Sequence, residues 1–321
     1  SSPGDMQQNQ PSQASTPEKE QPLPDIARDS TAQVAALLDR VGMSGIETVL
    51  RRRNAGGELM MVPARVDAFV NLDDPEARGI HMSRLYLDLQ RQLEENEFTF
   101  ALLPKILEAF TRSHASLSTH SYLRLSYEIM LKRPALLSEN AGWRHYPVSL
   151  EASWNGKRAE LKTSFRVTYS SACPCSAALS RQTLKQRFEE DFGDHQSISP
   201  AHVSNWLQTR EASAAVPHSQ RSHADITVVS NKADENLLET LIDQVEETLG
   251  TAVQTAVKRE DEQEFAVLNG ANLMFCEDAA RKILALLDGQ DGLRDYRIEV
   301  RHMESLHPHD AVAITTKGVE G

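Results

Sequence analysis

Cysteine, long apolar runs and positive charge are all scarce in this sequence. Only Cys173, Cys175 and Cys276 occur in 321 residues. So small and odd a number argues against a disulfide framework. Cys173 and Cys175 stand too close together for an easy mutual bridge, which points to metal binding or nucleophilic chemistry. No apolar run approaches the roughly 20 residues of a membrane-spanning helix. No basic start followed by an apolar core marks a secretory signal, so the expected compartment is the cytoplasm. Lys and Arg number 34 against 46 Asp and Glu, a formal charge of −12. Nucleic acid, which calls for a basic face, is not an expected partner. An anionic small molecule would need a local basic cluster set against that overall field.

What is present reads as a folded protein. Hydrophobic residues make up 40% and charged residues 25%, ordinary values for a globular chain long enough for two modules. Residues 1–24 are Gln, Ser, Pro and Glu with little apolar surface to offset ordering entropy, and are expected to be a disordered tail. Met6 is a candidate natural start, with Ser1 to Asp5 as a remnant. Short apolar runs suit a strand over Glu58 to Asn71, and helical spacing follows through Met82 to Leu93 and Leu102 to Phe110. A β-rich run through Tyr122, Ile129 and Leu131 ends near Arg133.

Strands are expected again over Tyr146 to Trp154 and Leu161 to Tyr169, joined by an Asn155-Gly156 hairpin turn. Another follows over Ala224 to Val229. Asp234 is a candidate cap for a helix through Leu237 to Leu249, and a further helix covers Met274 to Leu287, stopping at Asp288-Gly289. Two strands close the chain, over Tyr296 to His302 and Asp310 to Thr316. Residues 177–217 are polar and Ser-rich, with a helix around Leu184 to Phe192, and read as an insertion on the surface or over the site. The order predicts an α+β fold with mostly antiparallel pairing, in modules of 25–140 and 141–321.

Six runs carry candidate chemistry. Cys173-Pro174-Cys175-Ser176 follows a strand; thiolates suit zinc, and Pro174 restricts how the sulfurs point. In His218-Ser219-Gln220-Arg221-Ser222-His223, His218 sits in a polar loop where a neutral imidazole can reach a metal, though a solvated loop histidine is the plainer reading. Lys258-Arg259-Glu260-Asp261-Glu262 reads either as a solvated charge run after a helix, or as an oxygen ligand, Glu262, beside cations for phosphate. Glu277 at a helix start can complement the helix dipole or accept two hydrogen bonds from the N1–H and 2-amino group of guanine. Glu304-Ser305-Leu306-His307-Pro308-His309 gathers two imidazoles and a carboxylate suited to proton transfer near pH 7. A sixth run, Gly79-Ile80-His81-Met82-Ser83-Arg84, opens a helix whose free N–H groups favour an anion, with Arg84 able to bind phosphate bidentately.

Taken in this order, the six runs resemble type IB GTP cyclohydrolase over roughly residues 75–316. Each is weak alone; six in sequence are specific. The resemblance implies a tunnelling fold, with antiparallel sheet and paired helices twice per chain, assembled as a homotetramer with active sites at subunit interfaces. It implies hydrolysis of GTP to 7,8-dihydroneopterin triphosphate and formate, the first step of tetrahydrofolate synthesis, with product also feeding queuosine-type tRNA modification. Carried over by position, Cys173, His218 and Glu262 hold a divalent metal (zinc, manganese or iron(II)), with Cys175 a further candidate ligand. Glu277 anchors guanine. Cys173, Glu304, His307 and His309 are catalytic, and His81, Ser83, Arg84, Arg221, Lys258 and Arg259 bind substrate. Two features depart from the pattern: Ala177 stands where lysine is expected, and the 177–217 insertion is longer than in the compact form. The alternative is a tunnelling-fold enzyme with Cys173 as nucleophile, of the nitrile reductase or pterin-enzyme type.

Overall fold

A computed structural model describes residues 23–230, 235–255 and 257–319. The expected disordered tail therefore lies almost wholly outside the described residues, as does the Asp234 cap. A short helix α1 (Ile26–Asp29) precedes strands β1 (Leu38–Arg53) and β2 (Leu59–Leu72). Helices α2 (Met82–Glu95) and α3 (Leu102–Ser113) lead to β3 (Ser121–Pro134), β4 (Ala141–Trp154) and β5 (Ala159–Ala172). Helices α4 (Pro174–Phe192) and α5 (Pro200–Leu207) precede β6 (Ser219–Ser230). Then come α6 (Glu235–Leu249), α7 (Arg259–Ala271), α8 (Cys276–Asp288), β7 (Leu293–His302) and β8 (Ala311–Lys317). The fold is α+β. The strands form one eight-stranded antiparallel sheet in chain order, β1 to β8.

Period-2 alternation fixes which side of this sheet is buried. Val66, Leu125, Leu150 and Thr163 follow one another across β2 to β5, and Phe165, Ile226 and Ile298 across β5 to β7. All face one side and are buried. The amphipathic helices cover that face: α2 brings Leu85, Leu89 and Leu93, α3 brings Ile106, Leu107 and Phe110, and α8 brings Ala279, Ile283 and Leu287. Each such leucine contributes roughly 1.5–3 kcal/mol. The opposite face is polar and ion-paired, as in Arg124 with Glu151 at 2.7 Å and Arg166 with Asp225 at 2.7 Å. The sheet runs on without a break where β3 meets β4, whose strands pair from Ser121–Trp154 to Pro134–Ala141.

The Asn155-Gly156 turn forms as expected, with Gly156 at φ +92° and the Asn155 side chain accepting from the N–H groups of Lys157 and Arg158. Three elements differ from the sequence reading. Strand β1 was not expected; it is an edge strand with two register shifts, near Gly42 and Gly45, that break its alternation. The insertion is helical from Pro174 onward and carries a small core of its own, Phe192, Trp206 and Ala212, packed by Phe188. The charge run at Lys258 to Glu262 opens helix α7 instead of trailing a helix.

Candidate active site

The end of the β5–β6 ladder builds the site. Ala172 pairs with Ser219, and one step further the Cys173 N–H donates to the His218 carbonyl at 3.3 Å. The His218 N–H in turn donates to Ser176 Oγ at 3.0 Å. The whole 177–217 excursion therefore leaves and returns at one point, and the C-P-C-S run brackets His218. Cys173 is the N-cap of α4, in extended conformation, and Pro174 occupies the first turn, where its missing N–H costs nothing. Cys173 is half-buried and Cys175 exposed.

A polar chain runs inward from His218. Its Nδ1 lies 3.4 Å from Gln220 Oε1; the Gln220 amide donates to Ser171 Oγ at 2.7 Å, and that oxygen is 2.8 Å from Ser222 Oγ. With Nδ1 as the donor, Nε2 keeps a lone pair free to ligate. Beside this chain a hollow of about 390 Å³ is lined by Gln220, Arg221, Val253, Gln254, Glu262 and Phe265, among others. Arg221 and Glu262 thus share one space. A larger hollow of about 1060 Å³ lies on the polar face of the sheet, and none of the candidate residues line it.

Helix α8 reaches the same corner. The Met274 N–H donates to the Ala172 carbonyl at 3.1 Å, one residue before Cys173. Glu277 is exposed in the first turn of α8, and Asp278 caps it by accepting from the Phe275 N–H at 2.9 Å. Burial, and then the neighbouring Glu277, push the Cys276 thiol up, so Cys276 is a packing residue with little thiolate character. His302, at the end of β7, is buried and accepts from or donates to Tyr169 Oη at 2.8 Å. Burial pulls it down to about 4, against the fields of Glu277, Glu304 and Asp278, which therefore flank it. Glu304 is half-buried, while His307 and His309 are exposed in the β7–β8 connection, their rings stacked 4.8 Å apart.

Two groups of candidates stay apart within the chain. His81 caps α2, with Ser83 and Arg84 exposed in its first turn; the His81 N–H donates to Nε2 of buried His114 at 3.1 Å. No hydrogen bond, ion pair or shared hollow joins this helix start to the Cys173 corner among the described residues. Nor are three His, Cys, Asp or Glu side chains gathered closely enough, among the described residues, to hold a metal ion. The donor types of Cys173, His218 and Glu262 nonetheless fit a divalent transition metal, and the ladder end brings the first two side by side. Sequence reasoning missed His114, Gln220, His302 and Asp261 as participants. The last two had a faint signal: His302 falls at an inward position of β7, and Asp261 at the third position of a helix.

The family described as type I GTP cyclohydrolase folE2 matches residues 23–313 of this chain. A GTP cyclohydrolase FolE2 from Hydrogenovibrio crunogenus is 44% identical over 299 residues, covering 93% of this chain and 96% of that protein. One from Pseudomonas savastanoi pv. phaseolicola is 49% identical over 298 residues, covering 92% of this chain and 98% of that one. Among solved structures, uricase from Arthrobacter globiformis is similar at a TM-score of 0.48 and 8% identity, over 88% of this chain and 96% of that chain, a likeness too slight to bear on function. The family match and the two relatives each span most of the chain: the chain belongs to the type I GTP cyclohydrolase FolE2 family.

Proposed function

We propose that the chain is a GTP cyclohydrolase of the type IB form, hydrolysing GTP to 7,8-dihydroneopterin 3′-triphosphate and formate as the first step of tetrahydrofolate biosynthesis. The observation that carries this is the β5–β6 ladder end, where Cys173 and His218 meet beside the hollow of Arg221 and Glu262 and the start of α8. Cys173, His218 and Glu262 would hold the metal, zinc, manganese or iron(II), with Cys175 as a reserve donor. When bound, that metal supplies Lewis acidity for the attack of water on C8 of guanine.

The remaining work falls to the chain's own groups. Glu277 accepts from the guanine N1–H and 2-amino group and fixes the base. Ring opening and loss of formate need several proton transfers, and the stacked imidazoles of His307 and His309, with Glu304, hold and move those protons. Gln220 Oε1, 3.4 Å from His218 Nδ1, would orient the ring with Nε2 left for the metal. Arg221, Lys258 and Arg259 offset triphosphate charge on one side; His81, Ser83 and Arg84 do so on the other. Because that helix start lies apart from the Cys173 corner, a second copy is the natural source of it, which supports a homotetramer with interface sites. Two strands, a helical stretch and two strands recur on either side of the β4–β5 hairpin, with α4 and α5 inserted between β5 and β6 and three helices in place of two before β7, an order that supports a tunnelling fold of two modules. Supply of queuosine precursors and a cytoplasmic location follow from the same reading.

A second reading has one observation in its favour. Cys173 occupies the N-cap position of a 19-residue helix, a common seat for a nucleophilic cysteine. A nitrile reductase of this kind needs a nicotinamide cofactor and no metal. The deciding experiment is a fluorescence assay of metal-depleted protein with GTP, adding zinc, manganese or iron(II) in turn. Metal-restored pterin and formate support the cyclohydrolase; no pterin with any metal, from folded and assembled protein, sinks it.

A further inference from the structure

Helix α7 carries Lys258 at its N-cap, Arg259 at its first position and Glu262 in its first turn, yet its apolar hold is slight, with Phe265 and Leu268 only half-buried. A helix of this length ordinarily docks through an apolar stripe. In α7 the one fully buried residue is a charged one, Asp261. Val267 on the same helix is exposed.

The Asp261 carboxylate is saturated with donors. Its Oδ1 accepts from the backbone N–H of Leu137 at 2.7 Å and of Ser138 at 2.9 Å. Its Oδ2 accepts from the Ser138 hydroxyl at 2.6 Å and from the Lys258 N–H at 2.8 Å. Leu137 and Ser138 belong to the turn between β3 and β4, 124 and 123 residues away in sequence. Hydrogen bonds to an ionised acceptor are about twice as strong as neutral ones.

We propose that Asp261 is a positioning residue for the reaction: it clamps the first turn of α7 to the β3–β4 turn and so places Glu262 at the hollow beside Gln220 and Arg221. This rests on the function proposed above. Glu262 directly follows the clamp, and because the apolar residues on the same face, Phe265 and Leu268, lie one and two turns further on and are only half-buried, those four bonds are what fix the first turn of α7 at the hollow. An asparagine here keeps one acceptor oxygen for the backbone of Leu137 and Ser138 but turns an amide toward the Lys258 N–H, which loses its acceptor, and removes the negative charge from the bonds that remain.

The test compares wild type, Asp261→Asn and Ser138→Ala as full-length assembled proteins. Mn(II) binding is read from the electron paramagnetic resonance signal of the free ion, kcat and KM are measured with GTP, and amide hydrogen exchange is followed at residues 135–140 and 258–262. We expect Asp261→Asn to weaken Mn(II) binding about 10- to 100-fold, the usual effect of losing a residue that orients a metal ligand. It should lower kcat more than it raises KM, and speed exchange at 258–262. Ser138→Ala should move each readout the same way by less, and it serves alone if Asp261→Asn does not fold. Variants of lower melting temperature with wild-type Mn(II) affinity and kcat would reduce Asp261 to a structural cap and overturn the proposal. A wild type that neither binds Mn(II) nor forms pterin would instead overturn the function on which it rests.

Discussion

Tyr169 Oη and His302 Nε2 stand 2.8 Å apart, both side chains buried between the β5–β7 surface and the start of α8. A neutral imidazole can accept the phenol proton there; a charged one cannot. His302 titrates at about 4 in the folded protein and near its ordinary 6.5 when unfolded. Between these values the unfolded chain binds the extra proton, so acid favours unfolding. The stability contributed by the neutral form is complete above about pH 6.5 and is lost as pH falls toward about 4. Urea unfolding at pH 6.5 and pH 5 should show this loss, and His302→Gln should flatten it. An equal loss in the variant would place the pH sensitivity elsewhere.

Helix α6 is pinned by a buried cage. Glu246 accepts from Tyr146 Oη, from Arg133 Nη2 at 3.0 Å and from Arg144 Nη1 at 3.3 Å. Arg144 and Tyr146 are buried, so removing the carboxylate strands a cation and a hydroxyl. Glu246→Ala should cost about 3–5 kcal/mol, read as a fall in the urea midpoint at unchanged slope. A cost below about 1 kcal/mol would mean that water enters and repairs the cage.

Glu277→Ala should abolish detectable GTP binding while leaving the melting temperature nearly unchanged, because Glu277 is exposed in the free chain. Two charge-assisted hydrogen bonds at about 1.5 kcal/mol each amount to a loss of at least about 100-fold. Calorimetric titration with GTP decides it: unaltered affinity rejects the guanine anchor.

Cys173 and Cys175 should separate cleanly. Cys173 is half-buried at the ladder end against His218, whereas Cys175 is exposed one step into α4. We expect Cys173→Ser to lose bound metal on purification and Cys175→Ser to retain it, measured by elemental analysis against protein concentration. The reverse pattern would make Cys175 the ligand.

Much of this architecture was legible because burial wrote itself into period. Strands β2 and β5 alternate strictly, and α2, α3 and α8 carry apolar stripes. Where the pattern failed, the physical cause is visible. Strand β1 buries only Ile46 and Leu50 and is bent by its register shifts, so its alternation vanishes. Helix α7 fully buries only the Asp261 carboxylate, with Phe265 and Leu268 half-buried, and α4 buries only Ala177 and Phe192, so neither shows a strong stripe. The meeting of Cys173 and His218 depends on the return of an insertion, a distance that no local spacing encodes. The candidate residue types were readable; which of them share a corner within one chain was not.

The strands lie side by side in the order in which they leave the ribosome. Each new strand therefore finds its hydrogen-bonding neighbour already synthesised, and the sheet can grow from one edge as translation proceeds, with no strand threaded between two earlier ones. One debt is left open in that sequence of events. Arg52, Arg133 and Arg144, on β1, β3 and β4, meet Glu239 and Glu246 only when α6 emerges. Until then the nascent N-terminal half shows cations on the side that is meant to be dry, which should keep it soluble and open to α6, and hold back premature collapse of that surface on itself.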